Sequence, residues 1–321
     1  MNDHTLHIGI VMDPIEGISP AKDSTFAMML DCQRRGYRVA MLQQGDLFLD
    51  ASIAMGRATP VTVTDNPTDW FSAGSPHTMP ISEFDAILMR KDPPFDMEYI
   101  YTTYLLDLAA QGGALVVNQP GALRDLNEKM STAWFPALTP ETLVTRSQAK
   151  LREFLGAHGH IVVKPLDGMG GRSIFTLHEG DKNANVVYET LTDYGRQFAM
   201  AQTYVPEITD GDKRVLIVDG EVVPYMLARV PNAEDGRGNL VMGATADARP
   251  LGSAERAIAE QVGPWLKARG VIFAGLDVIG DRLTEINVTS PTGIRELDRH
   301  FDINIAGMLN DAIERRVRHR D

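Results

Sequence analysis

The sequence predicts an open, mostly parallel α/β layer over its first third, followed by an α+β region rich in antiparallel strands. Three observations lead there. Short apolar, β-branched runs alternate with amphipathic stretches up to about residue 120, as in βαβ units. From about residue 212 apolar runs follow one another with tight-turn residues between them. The 321 residues exceed one small domain, and 44% hydrophobic with 23% charged residues describe an ordinary globular chain.

In order, residues 6–13 (LHIGIVMD) read as a strand. Residues 23–36 (DSTFAMMLDCQRRG) read as a helix with Asp23 or Ser24 as N-cap and Gly36 as its stop. Strands follow at 37–43 and 84–90, then a glycine-closed helix at 97–113 and a strand at 114–120. Residues 51–80, rich in Thr, Pro, Ser and Gly, interrupt the layer as an excursion of short strands. Beyond them GALRDLNEKMSTAWF reads as helix and ETLVTR (141–146) as strand. SQAKLREFLGAHG is a helix capped by Ser147 and stopped by Gly156 or Gly159. NVVYETLTDYG is a further helix and FAMAQTYV (198–205) a strand. Asp219-Gly220 marks a hairpin within KRVLIVDGEVVPYMLARV, and GLDVIGDRLTEINV holds a second candidate. NIAGMLNDAIERRVRHRD is a terminal helix whose basic end suits its dipole.

A net charge of −12 argues against nucleic acid or an anionic membrane as the main partner. The one cysteine, Cys32, forbids an intrachain disulfide and fits a reducing compartment. It reads as a small buried hydrophobe, and Met28 and Met29 beside it as core. No basic segment followed by a long apolar one opens the sequence, and no run of about 18 apolar residues occurs. The expectation is a cytoplasmic protein with no membrane span.

Two stretches carry chemistry. In IVVKPLDGMGGRSIF (161–175), Lys164 ends a strand and Gly168, Gly170 and Gly171 follow. Glycines let backbone N–H groups approach phosphate oxygens, although a loop like this also serves as a plain turn. In GLDVIGDRLTEINVTSPTG (275–293), Glu285 and Asn287 stand two apart and share one strand face. A three-residue loop at 280–282 puts Asp277 opposite Glu285; a two-residue loop puts them on opposite faces. In the first register three oxygen ligands share a face, and oxygen-only donors suit Mg²⁺. The ordinary alternative is a solvated acidic strand face. A lysine strand, a glycine loop and metal carboxylates together imply a nucleoside triphosphate site.

These stretches resemble the glycine-loop and metal motifs of the ATP-grasp superfamily. Within it, GIVMDPI, LMRKDPPFDMEYI, LNEKMSTAWF, LTPETLVTR, DGDKRVLIVDGE and EINVTSP resemble the bacterial glutathione synthetase family over roughly residues 1–316. The resemblance implies an N-terminal α/β unit (1–122), a central lobe with the glycine loop (123–202) and a C-terminal lobe with the metal site and a lid (203–321). It implies that Lys129 and Lys164 contact ATP phosphates beneath a loop of Gly168, Met169, Gly170, Gly171 and Ser173. Thr203, Tyr204 and Val205 would border the adenine, and Asp212 would join the ATP site. Asp277, Glu285 and Asn287 would hold two Mg²⁺ ions, with Mn²⁺ as a substitute. Arg214 and Arg229 would be catalytic, facing an acyl phosphate and the substrate carboxylates. Ser290, Thr292 and Gly293 would bind glutathione, and Asp13 in the MDPI loop would help seat γ-glutamylcysteine. The partners implied are ATP, γ-glutamylcysteine, glycine and a homotetramer of the chain itself.

The expected reaction passes through an acyl phosphate, which water would hydrolyse, so a lid is required. VPNAEDGRGNLVMGATADARP (230–250) fits as a long polar loop. The family usually has GGRGE where this chain has GATAD, so Thr245 stands where an arginine is expected, while Arg237 and Arg249 remain. Two other readings stay open at this stage: a different carboxylate–amine ligase, and an ATP-binding module without catalysis.

Overall fold

The computed structural model describes residues 5–168, 172–231 and 245–319, and three sheets organise them. The first stretch runs β1 (His7–Val11), α1 (Ser24–Arg34), β2 (Arg38–Leu42), β3 (Leu47–Asp50), β4 (Ile53–Val63), β5 (Phe71–Ala73), β6 (His77–Pro80), β7 (Ala86–Met89), α2 (Met97–Gln111), β8 (Leu115–Val117) and α3 (Pro120–Asp125). Its strand order is β3-β4-β2-β1-β7-β8, with β5 and β6 also pairing with β4. Strands β2, β1, β7 and β8 run parallel. Parallel strands are covered on both faces, which is why Ile8, Ile10, Ile87 and Leu88 form unbroken apolar runs and are buried. The excursion at 51–80 is built around one long strand, β4, where short ones were expected.

The expected helix over 121–135 is interrupted. α3 ends at Asp125, and a 3₁₀ turn at Met130–Trp134 follows. Between them the Asn127 carboxamide accepts from the N–H groups of Lys129 and Met130 and donates to the Leu166 carbonyl. Such local side-chain bonds compete with the helix ladder.

The second sheet comprises β9 (Thr142–Thr145), β10 (His160–Pro165), β11 (Phe175–His178) and β12 (Ala199–Thr203), all antiparallel and backed by α4 (Gln148–His158) and α5 (Ala184–Thr192). The third holds β13 (Asp212–Val218), β14 (Glu221–Val230), β15 (Thr245–Pro250), β16 (Phe273–Ile279) and β17 (Arg282–Asn287), in the order β15-β14-β13-β16-β17. Helices α6 (Ser253–Lys267), α7 (Ile294–Phe301) and α8 (Ile305–Arg318) complete the chain. Asp219 and Gly220 make the expected two-residue turn, both with positive φ (51° and 85°). Part of the stretch expected to be lid loop is strand: residues 245–250 pair with 225–230, while 232–244 lie outside the described residues.

The second sheet has its own core around Leu151, Ile161, Val163 and Tyr188. The first and third sheets share theirs: one cluster joins Leu106 and Val116 to Val215 and Leu276, and another joins Ile10 and Met28 to Leu216 and Ile313. Met28 and Met29 are therefore core, as is Cys32, whose thiol burial pushes up to about 12. At the seam between these sheets the buried Asn118 amide donates to the carbonyls of Phe273 and Val288. It accepts from the N–H groups of Ile272 and Phe273. Among the described residues no helix is long and apolar enough to cross a membrane.

Asp31 joins α1 to α8. Its carboxylate takes hydrogen bonds from Asn304, Asn310 and Arg35, and pairs with Arg34. Burial opposes its charge, yet these donors outweigh burial and hold it down at about 2. An unfolded aspartate titrates near 3.9, so this carboxylate stabilises the fold fully above about pH 4 and loses its effect as pH falls toward 2. Asp31→Asn should lower stability at pH 7 by about 1–2 kcal/mol and flatten the acid limb between pH 4 and 2, as measured by denaturant unfolding against pH.

Candidate active site

One face of the third sheet gathers the charges. Asp212 and Arg214 stand two apart on β13, so they share a face. Register places Arg229 opposite Asp212, Asp277 opposite Arg214, and Glu285 opposite Asp277. The last pairing comes by an unexpected route. The turn between β16 and β17 has two residues, which would bring Asp277 opposite Thr284. A register shift beside Asp277 leaves Thr284 as an extra residue and restores the Asp277–Glu285 pair. The bulged Thr284 hydroxyl bonds to the Asp277 carbonyl at 3.0 Å, and its own carbonyl accepts from Lys164 at 3.4 Å.

Asp277 is 4% exposed and is gripped on both oxygens. Arg214 Nε lies 2.6 Å from Oδ1 and Nη2 lies 3.1 Å from Oδ2. Arg229 Nη2 lies 2.9 Å from Oδ2, and the Asn287 amide 3.3 Å from the same oxygen. Burial disfavours the Asp277 charge, but the two guanidinium groups outweigh it and hold the carboxyl well below the usual range. Arg229 also bonds Asp212 Oδ2 at 2.5 Å, while Asp212 Oδ1 is buried with no hydrogen-bond partner. Burial pushes Asp212 up to about 7 although Arg229 lies against it.

The second sheet and the 120s segment add the lysines. Lys164 on β10 and Lys129 are buried, and each Nζ lies 3.6 Å from Glu285 Oε1. Lys129 also pairs with Glu128 and donates to the Gly168 carbonyl at 2.6 Å, at the start of the glycine loop. Burial lowers the Lys164 pKa. Lys129 is equally desolvated, but Glu285 and Glu128 raise it. Burial and the Glu285 charge push Glu128 up to about 7.

The cluster thus sets Lys129, Lys164, Arg214 and Arg229 against Glu128, Asp212, Asp277 and Glu285. Formal charge is balanced before any ligand enters. The donor chemistry suits a divalent cation such as Mg²⁺: Asp277, Glu285 and Asn287 each carry side-chain oxygen, and Asp212 Oδ1 is a buried oxygen without a hydrogen-bond partner.

The family model for the prokaryotic glutathione synthetase N-terminal domain matches residues 6–124, and that for the prokaryotic glutathione synthetase ATP-grasp domain matches residues 128–302. The chain belongs to the prokaryotic glutathione synthetase family. The glutathione synthetase of Vibrio parahaemolyticus is 56% identical across 98% of this chain and 99% of its own. That of Escherichia coli K12 is 54% identical across 98% and 100%. Among solved structures, the D-cycloserine synthetase DcsG aligns with a TM-score of 0.70 at 16% identity, covering 97% of this chain and 99% of its own. The ATP-grasp ligase PsnB complexed with minimal precursor aligns at 0.63 with 18% identity, covering 97% and 99%. These neighbours show the fold, which is ATP-grasp.

The other residues that the glutathione synthetase resemblance singled out fall around this cluster or beside it. Ser173 is exposed, with φ at +56°, and Met169, Gly170 and Gly171 lie outside the described residues. A Cβ on Gly168 would meet Pro165 Cγ at 2.6 Å, so the loop leaves its strand tightly folded. Thr203 and Val205 flank the step from the second sheet to the third. The Thr203 N–H is already bonded to the Glu141 carbonyl, and the Tyr204 ring stacks on His160 at 3.8 Å. The Thr292 carbonyl accepts from Arg214, Gly293 caps α7, and Ser290 bonds Asp92. Asp13 lies beyond β1 and pairs with Lys91.

Two contributors escaped the sequence reading. Glu128 lies in a stretch that reads as helix, and nothing local singles it out. Gly275, inside β16, lets the Arg214 side chain lie flat, since a Cβ there would meet Arg214 Cδ at 2.8 Å. A glycine within an apolar strand was the available signal.

Asp277→Asn should leave two buried guanidinium groups undercompensated and destabilise the protein by about 3–5 kcal/mol. Glu285→Gln removes longer contacts, 3.6 Å from each lysine, and leaves Lys129 its Glu128, so although it deprives buried Lys164 of its paired carboxylate it should cost less, about 1–2 kcal/mol. Urea unfolding of the two variants measures the contrast, and equal losses would contradict it.

Proposed function

We propose that the chain makes glutathione, joining γ-glutamylcysteine to glycine with ATP consumed and ADP and phosphate released. The carrying observation is the match of both family models and of full-length glutathione synthetases to nearly the whole chain. The site's charges give the reaction a physical route. The carboxylate of γ-glutamylcysteine and the γ-phosphate of ATP are both anions, so their approach needs cationic groups fixed beforehand. Lys129 and Lys164 are assigned to the phosphates, supported by their burial and by the bond from Lys129 to the base of the glycine loop. Arg214 and Arg229 are assigned to the substrate carboxylates and the acyl phosphate; Asp277 orients both in advance.

The attacking carboxylate oxygen bonds to the γ-phosphorus and ADP leaves. The glycine amine then attacks the acyl carbon and phosphate leaves. No protein nucleophile is required, so the chain contributes positioning and electrostatics. Asp277, Glu285 and Asn287 would hold Mg²⁺, or Mn²⁺, as a pair of ions that offset negative charge on the phosphate oxygens when bound. Gly168 to Ser173 would cover the phosphates, Thr203 to Val205 and Asp212 would border the nucleotide, and Ser290, Thr292, Gly293 and Asp13 would meet the peptide.

The same reading divides the chain at about residues 122 and 202 and takes the working form as a cytoplasmic homotetramer. In keeping with a reducing compartment, Cys32 is a buried free thiol.

Purified protein given Mg-ATP, γ-glutamylcysteine and glycine should release phosphate and form glutathione, with release depending on all three. ATP binding without release would favour a non-catalytic module. Thr245 is exposed at the first residue of β15, opposite Val230. Thr245→Arg should raise kcat/KM several-fold and suppress any glycine-independent phosphate release. An unchanged kcat/KM would refute a role for this lid position.

A further inference from the structure

One end of the second sheet carries three rings in a row. His160 opens β10 and His178 closes β11, and register sets them opposite each other. The pairing of Ile161 with Thr203, carried one residue further, sets Tyr204 opposite His160 on its other side. Residues at such cross-strand positions share one face of the sheet. The His178 and His160 rings stack at 3.8 Å and 26°, and the His160 and Tyr204 rings at 3.8 Å and 17°. His160 is thus the middle ring, between an exposed imidazole and a half-buried phenol.

The row holds the step from the second sheet to the third. The Tyr204 N–H donates to the His160 carbonyl at 3.1 Å, and the Thr203 N–H to the Glu141 carbonyl at 3.0 Å. Of the three N–H groups in Thr203–Val205, only that of Val205 has no partner among the described residues. Ring and backbone of Tyr204 are both fixed by one residue, which sets where the Val205 N–H points.

Histidine titrates near pH 6.5, and the surroundings of His160 resist its charge. Its Nε2 is buried with no hydrogen-bond partner, so a proton added there finds no acceptor. Partial burial and the neighbouring His178 lower its pKa. Among the described residues no carboxylate compensates. Glu141 lies 3.8 Å from His158 at the end of α4, whose ring packs on Phe154 instead. Glu179 and Asp181 after β11, and Glu207 after Tyr204, pair with neither imidazole. The neutral stack is therefore at full strength above about pH 6.5 and weakens as pH falls below that value.

We infer that His160 is a positioning residue for the nucleotide: backed by His178, it clamps Tyr204, aims the Thr203–Val205 step, and releases that step when protonated. The inference rests on the ATP site of the reading above and adds a titratable support outside the charged cluster.

Calorimetry of Mg-ATP binding between pH 7.5 and 5.5 tests it on the wild type, His160→Phe and His160→Ala. Phenylalanine keeps a ring in the row and takes no proton, whereas alanine removes the ring. His160→Phe should bind Mg-ATP within about twofold of the wild type at pH 7.5, because a phenyl ring fills the same stack. The titrations of ATP and of the charged cluster are common to both proteins, so their ratio isolates the row. At pH 5.5 the wild-type dissociation constant should have risen about threefold more than that of His160→Phe; one proton, one unit below 6.5, limits the effect to about tenfold. His160→Ala should weaken binding about threefold to tenfold at pH 7.5, the worth of one aromatic pair, and leave kcat within about twofold. His178→Phe, at the exposed end of the row, should narrow the pH effect as well and serves if His160→Phe does not fold. Equal pH dependence in the wild type and His160→Phe, or wild-type affinity in His160→Ala, overturns the inference, as does a wild type that binds no Mg-ATP. A wild type with the expected pH difference that forms no glutathione supports the inference and overturns the ligase reading alone.

Discussion

The seam between the first and third sheets depends on one side chain, Asn118. Its amide sits at the end of β8 and meets the edges of β16 and the strand end after β17 with both donors and its acceptor. Buried backbone groups left without partners each cost about 1–3 kcal/mol, so a seam of this kind must be satisfied or it opens. Because it is satisfied, apolar residues of both sheets can merge into shared cores. That merger fixes the first sheet's carboxyl ends against the loop at 289–293, where Arg90 and Asp92 bond it.

The second constraint is electrostatic. Arg214, Arg229 and Asp277 are all buried, and buried charges persist only when paired and hydrogen-bonded. The pairing also leaves the guanidinium groups oriented and desolvated, so under the proposed function little reorganisation would remain for the moment when an anionic substrate arrives. Glycine at position 275 is the steric condition for this, since any side chain there would displace Arg214. The lysines approach from another sheet and meet the cluster at one oxygen of Glu285. The lysine side of the cluster is thus a contact between sheets with separate cores, while its arginine side lies within one fused core.

Much of this was legible in short stretches. Helix caps at Asp23 and Ser147, the Asp219-Gly220 turn, and the shared face of Glu285 and Asn287 follow from interactions spanning a few residues. Where local rules failed, a specific competing bond was responsible. Asn127 broke an expected helix by bonding backbone N–H groups itself. Residues 245–250 became strand because β14 offered an open edge.

The amino-acid sequence by itself determined the order and type of most elements, the family, and which residue types the site would use, because periodicity, capping and motif spacing are short-range properties. Tertiary structure decided the rest. The pairing of Asp277 with Glu285 hung on a bulge at Thr284 that no residue count could distinguish from a longer loop. The partners of Asn118, and the two carbonyls that Arg90 bonds, lie more than 150 positions away in the chain. Such contacts exist only once burial has removed water as the competing partner, and that is a property of the folded whole.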